Sequence, residues 1–265
     1  MQLDQLLASA AQQQDIVIPD TWGQGRAVFG GLVAGLMAAH AEQEVGDSAK
    51  QLRSAFVSFI GPVATGAARL QAQVLRRGKS VTSIQVQLLQ DDAVQSMLVA
   101  SFGTSRESII QLAGSHSAPV FKLPQDCKPL PFIPGITPDF FQHFDALWAE
   151  GNMPFSAAKQ PDFGGWMRLK PSEQIAALTL PHLFVLGDMW PPAVLPMYNR
   201  VAPASSLNWN LELIELSAAL KPEAWLQYQV KTEYAADGYA YTQAKIWDAQ
   251  GNLVALSRQT VTVFL

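Results

Sequence analysis

The spacing of hydrophobic positions changes along this 265-residue chain, and the changes mark out its elements. Ile16-Val17-Ile18 reads as a short strand. After Trp22, residues Phe29, Leu32, Val33, Leu36, Met37 and His40 recur at helical spacing and predict a helix over 29–43. Between them stand Gly30, Gly31, Ala34, Gly35, Ala38, Ala39 and Ala41. A helix with one stripe of large residues and small ones elsewhere is surrounded by protein. Its three glycines each cost about 1 kcal/mol of helix propensity, so packing or binding must require them.

Four extended segments follow, Leu52–Ile60, Ala68–Leu75, Val81–Leu89 and Gln95–Phe102. Leu70, Ala72 and Val74 alternate with Arg69, Gln71 and Gln73, the pattern of a half-buried antiparallel strand. Arg77-Gly78-Lys79 and Gln90-Asp91-Asp92 predict hairpin turns. The second half repeats the order. An apolar run from Leu180 to Met197, broken by Gly187, Asp188, Pro191 and Pro192, predicts a buried, kinked or short helix at roughly 182–196. Strands are then expected over Ser206–Glu215, Trp225–Ala235, Tyr239–Asp248 and Leu253–Phe264, with Asp237-Gly238 and Gln250-Gly251 as turns.

Between the halves, residues 114–138 carry Pro119, Pro124, Pro129, Pro131, Pro134 and Pro138 and read as an extended connector. The expected organisation is a unit over 1–113, the connector over 114–138, and a second unit over 139–265. A helix followed by long meandering strands, twice over, predicts a duplicated α+β fold.

A net charge of −4 gives no basic surplus for a phosphate backbone, so no nucleic acid partner is expected. The longest apolar run, Ala27 to Ala39, is too short to span a bilayer. The first residues, MQLDQLLASAAQQQ, lack the basic start of a secretory signal. Cys127 is the lone cysteine, which fits a reducing compartment; a cytoplasmic protein without membrane association is expected.

The segments GRAVFGGLVAGLMAAH, FVSFIGPV and WLQYQVKTEYAADGYAYTQAKIWDAQGNLVALSRQ resemble the bacterial acyl-coenzyme A thioesterase II group and its thioesterase-like relatives. The resemblance covers nearly the whole chain apart from the connector. It implies a double hotdog, two long helices each wrapped by an antiparallel sheet. It also implies hydrolysis of an acyl-CoA substrate by water, with no covalent intermediate and no cofactor. In that group an aspartate, a threonine and a glutamine surround the attacking water. The matching positions here are Asn208, in Ser206-Leu207-Asn208, then Thr232 and Gln259.

Asparagine in place of the aspartate matters, because an amide accepts no proton near neutral pH. On this mapping the enzyme is slow, and Asn208→Asp accelerates it. Each position also has a plainer account: Gln259 as a buried structural amide, Thr232 as strand packing, Asn208 on an outward polar face with Asn210 and Glu212. Asp188 offers another carboxylate. It sits in the apolar run LFVLGDMWPP and must find donors, such as those of a helix N-terminus, serving as base or as cap. Gly30 and Gly31 open the first helix, where free N–H groups can polarise a thioester carbonyl; close packing is the competing reason.

No G-x-S-x-G elbow is present, and Gly78-Lys79-Ser80 lacks the first glycine of a P-loop. His40, His116, His143 and His182 show no ligand spacing, so no metal is expected. Trp209, Trp225 and Trp247 suggest an apolar sheet face and hence a homo-oligomer. The sequence therefore points to a thioester hydrolase. A non-catalytic acyl-thioester binding protein of the same fold is the alternative, and a pure oligomerisation scaffold a more distant one.

Overall fold

A computed structural model describes residues 2–265 except 111, 113–116, 174, 176 and 215–219. Gly114, His116 and Glu215 of the readings above lie outside the described residues. The first half comprises α1 (Leu3–Gln12), β1 (Asp15–Ile18), a small ribbon of β2 (Gly23–Gln24) and β3 (Ala27–Val28), and α2 (Gly30–Val45). Long strands follow: β4 (Lys50–Phe59), β5 (Gly66–Arg77), β6 (Val81–Gln90) and β7 (Ala93–Thr104). The connector contributes β8 (Lys128–Leu130), and β9 (Phe144–Gly151) and β10 (Phe163–Leu169) come next. The chain continues through α3 (Leu180–Gly187), β11 (Ala204–Leu213), β12 (Leu226–Ala236), β13 (Tyr239–Trp247) and β14 (Leu253–Val263).

Twelve strands form one sheet in the order β1-β5-β6-β7-β4-β11-β14-β13-β12-β10-β9-β8, antiparallel at every junction. Strands from the two halves of the chain occupy the two ends of the sheet, and β4 pairs with β11 at the junction, Val57 opposite Trp209. The expected hairpins form where the turn chemistry dictates. Asp237 and Gly238 both take positive φ, 55° and 80°, as the tight turn between right-twisted strands requires.

Helix α2 lies against the sheet with every residue from Gly31 to Ala41 buried. Its small face meets α3: a Cβ on Gly35 would stand 2.8 Å from Val185 Cγ2 and 3.0 Å from Pro181 O. Only glycine permits that approach. The second helix is much shorter than the long one expected, eight residues ending at Gly187. Trp190 precedes Pro191-Pro192, and a residue before proline is pushed out of the helical region, so the run cannot continue to 196. Its N-terminus is capped by Thr179, whose N–H donates to His182 Nδ1 while His182 Nε2 meets Asp4 Oδ1 of α1 at 2.7 Å.

The sequence reading missed α1, β9 and β10. In α1, Leu3, Leu6, Leu7 and Ala10 form a buried stripe at helical spacing, a pattern legible in the first residues of the sequence. The tryptophans expected on an exposed face are corrected by the structure. Trp209 and Trp247 are 0% and 1% exposed, and Trp225 stacks under the Arg168 guanidinium. Large aromatics on a strand that carries the inner face of a sheet are core residues. Among the described residues, no helix is long and apolar enough to cross a membrane.

The halves are also pinned by a polar clamp. His143 stacks flat on Trp22, centroids 3.9 Å apart and planes 6° from parallel. Its Nδ1 lies 2.8 Å from Glu173 Oε1 and its Nε2 lies 3.2 Å from Thr21 O.

Candidate active site

Asp188 follows the last turn of α3, so it occupies the end of its own helix rather than the start. Its donors come from elsewhere. Gln259 Nε2 on β14 donates to Asp188 Oδ1 at 2.6 Å, and the Gly31 N–H at the first turn of α2 donates to the same carboxylate. The positive end of α2 therefore faces Asp188, as an anion requires. Burial pushes the carboxyl up; the bonds from Gln259 and Gly31 pull it down; burial wins, and the pKa reaches about 7. Asp188, Gln259 and Gly30 each keep some solvent-accessible surface, whereas Gly187, Met189, Trp190 and Gly31 are buried. The carboxylate is thus poised for proton exchange near neutrality and still reachable.

The two glycines are here for proximity. A Cβ on Gly30 would stand 2.9 Å from Asp188 Oδ2, and one on Gly31 would stand 2.5 Å from the Phe29 ring and 3.0 Å from Asp188 Cβ. The N–H groups of Leu32 and Val33 turn back to Phe29 O, and that of Gly31 serves Asp188. The Gly30 N–H has no partner among the described residues and points from a helix N-terminus.

Cross-strand register places the remaining positions. Gln259 pairs with Trp209 on one side and Thr242 on the other, and Thr242 pairs with Thr232. Directly opposed residues share a face, so Thr232, Thr242 and Gln259 all point to the inner side, with Trp209. Thr232 is two strand spacings, about 10 Å, from Gln259. Its N–H is held by Asp162 Oδ1 at 3.0 Å, and its buried Oγ1 has no partner among the described residues. Asn208 is elsewhere. A bulge after Ser206 sets it opposite Thr260 and Ser58, on the outer face of the sheet, away from Asp188 and Gln259. The structure thus brings together Asp188, Gln259, Gly30 and Gly31, places Thr232 on the same face, and leaves Asn208 outside.

Sequence reasoning missed Thr242, Asp162 and Tyr228. Tyr228 lies close enough that burial, together with the Asp188 charge, pushes its phenol upward and keeps it neutral. None carries a sequence signal by itself, because each owes its place to strand register. Among the described residues, no group of three or more histidine, cysteine, aspartate or glutamate side chains is placed to hold a metal.

Comparison with known proteins decides the family. The model of the acyl-CoA thioesterase N-terminal domain matches residues 18–103, and that of the acyl-CoA thioesterase C-terminal domain matches residues 124–263. The chain belongs to the acyl-CoA thioesterase family. Its fold is shared with solved structures. One is a conserved protein of unknown function with hot dog fold from Alicyclobacillus acidocaldarius, at TM-score 0.84 and 20% identity, covering 99% of this chain and 98% of that one. Another, described as a thioesterase II from Thermobifida fusca, gives 0.81 and 20%, covering 98% and 97%. An acyl-CoA thioesterase II from Mycobacterium marinum gives 0.74 and 18%, covering 97% of each chain. No curated protein matches the sequence. Within this hotdog-fold family, the Asp188–Gln259 pair sits where the start of the α2 helix meets the sheet.

Proposed function

We propose that this acyl-CoA thioesterase family member hydrolyses acyl-CoA thioesters with Asp188 as the general base. The observation that supports it is a carboxylate with pKa about 7, held by Gln259 and by the N-terminus of α2. Ionised Asp188 takes a proton from water as the water oxygen bonds to the thioester carbon. The carbonyl oxygen gains the negative charge, and the Gly30 N–H with the dipole of α2 stabilises it. The tetrahedral species collapses, the C–S bond breaks, and Asp188 returns the proton to the departing thiolate. Gln259 orients the base, and its second N–H is available to the water. Asn208 needs no part in this chemistry, which makes its departure from the family pattern tolerable.

The double hotdog is our reading of the fold, supported by a buried helix and a run of long antiparallel strands in each half, α2 in the first and α3 in the second. Self-association is part of the proposal too. Its support is now the exposed aromatic side chains Phe56, Tyr234, Tyr239 and Tyr241, at 37%, 63%, 45% and 45% exposure, rather than the buried tryptophans. Thiol release from acyl-CoA tests the central claim: Asp188→Asn is expected to slow it roughly 10²- to 10⁴-fold. Undiminished release by that variant would overturn the assignment. Binding without turnover by the native protein would favour a non-catalytic acyl-thioester carrier.

A further inference from the structure

The direction in which an acyl chain can leave the thioester carbon is set by what surrounds Asp188. On one side α3 ends at Gly187, and Trp190, two positions beyond Asp188 and 6% exposed, is buried. Its ring lies nearly parallel to Tyr228, centroids 5.7 Å apart and planes at 14°, and it also meets Phe163 at 5.8 Å and Trp148 at 5.6 Å. The indole is fixed by a hydrogen bond from Nε1 to Met167 Sδ at 3.3 Å. It presses so closely on β10 that a Cβ on Gly165 would stand 2.7 Å from Trp190 Cη2. Four aromatic rings thus make a wall on the α3 side of the carboxylate.

The other side is closed as well. Phe29, at the start of α2, stacks on Phe140 at 4.0 Å with planes 5° apart, and is 1% exposed. Phe29 is the ring that a side chain on Gly31 would strike. Protein interiors of this kind are close-packed, and a long chain entering either wall would have to displace several interlocked rings together. Two surface cavities lined by described residues are remote from this position. The larger, about 890 Å³, lies at the opposite ends of the helices, around Glu42, Lys50 and His182, and the other is lined by Arg53 and residues 103–108.

We infer that the site takes thioesters of short acyl groups, of a few carbons, and that Trp190 is the residue that sets this limit. The inference rests on the hydrolase reading and deepens it by naming the substrate class. Trp190 sits two positions from the base and forms the end of the acyl space without touching the reacting atoms, so it governs specificity and not the proton transfer.

The test is a series of acetyl-, butyryl-, hexanoyl- and decanoyl-CoA, read by thiol release as kcat/KM for the native protein and for Trp190→Leu. In parallel, the non-hydrolysable thioether analogues of the same four lengths are read by thermal shift. One methylene in a hydrophobic pocket discriminates by roughly 10- to 200-fold. The native protein is therefore expected to favour butyryl- over decanoyl-CoA by at least ~10-fold, and Trp190→Leu to move the optimum toward longer chains. The thioether series is expected to show the same order. Native preference for decanoyl-CoA would overturn the inference while leaving the hydrolase reading intact. If no thioester is hydrolysed but the short thioethers still stabilise the native protein best, the hydrolase reading falls and the size limit stands. If no thioether shifts the melting temperature and no thioester is hydrolysed, both fall. An unchanged length optimum in folded Trp190→Leu would overturn the role of Trp190; should that variant fail to fold, Trp190→Phe, expected to move the optimum in the same direction, takes its place.

Discussion

The amide nitrogen of Gln259 donates to Asp188 Oδ1 at 2.6 Å, across 71 positions of sequence. That bond, with the N–H of Gly31, stabilises the ionised carboxylate that burial opposes. The balance leaves the group half-ionised near pH 7, the condition in which a carboxylate both accepts and returns a proton effectively.

The first prediction concerns rate against pH. Only ionised Asp188 can draw a proton from water, so kcat/KM should rise with pH through about 7 and then level off. Asp188→Asn should lose roughly 10²- to 10⁴-fold. Gln259→Leu removes a bond that pulls the pKa down, so its rising limb should move to higher pH. A profile flat from pH 5 to 9 would contradict Asp188 as the base.

Stability should run the opposite way. Asp188 titrates at about 7 in the fold against an ordinary 3.8, so between those values the folded protein holds a proton that the unfolded chain has released. Its contribution therefore falls as pH rises through that window and is fully unfavourable above 7. At about 1.36 kcal/mol per pH unit, the deficit is roughly 4 kcal/mol at most. Asp188→Asn should accordingly melt higher than the native protein at pH 8, with the gap closing toward pH 4. A lower melting temperature at pH 8 would show that the carboxylate is structural.

Asn208 gives a contrasting expectation. Its register with Thr260 and Ser58 sets it on the outer face, so Asn208→Asp should leave thiol release unchanged. A tenfold acceleration would restore the role that the family resemblance assigns to this position.

Gly30→Ala should separate stability from activity. The added methyl meets Asp188 Oδ2 at 2.9 Å and the Phe59 ring at 3.2 Å, so the carboxylate must move. We expect at least a tenfold loss in kcat/KM, since displacements on the order of 1 Å cost about 10²-fold. The change in melting temperature should be small. Equal losses in Gly30→Ala and in a remote helix glycine variant would argue against a site role.

The clamp of His143 and Glu173 predicts acid sensitivity of the whole fold. Burial pushes the Glu173 carboxyl up, yet the hydrogen bond and charge of His143 and the N–H of Leu3 outweigh it and hold the group below its ordinary range. A lowered carboxyl contributes stability above its unfolded pKa of about 4.3 and loses it as pH falls through the folded value. Glu173→Gln should lower the urea midpoint at pH 7 and flatten its dependence on acidification. An unchanged midpoint would mean that the Trp22 stack and the Thr21 carbonyl suffice to hold His143.

Much of this architecture was legible in order along the chain. The buried stripe and small face of α2, the long strands, the Asp237-Gly238 turn and the break at Pro191-Pro192 are local consequences of periodicity and backbone chemistry. The sequence also singled out Asp188, because a carboxylate in an apolar run must find donors. What it could not specify was which donors. Gln259 reaches Asp188, and Asn208 does not, because a bulge after Ser206 fixes the pairing of β11 with β14, and a slip of one residue turns a side chain to the other face. The fate of Trp209 and Trp247 was decided the same way. Side-chain type along a strand names two faces, but only the packing of the helices against one of them determines which face is the core.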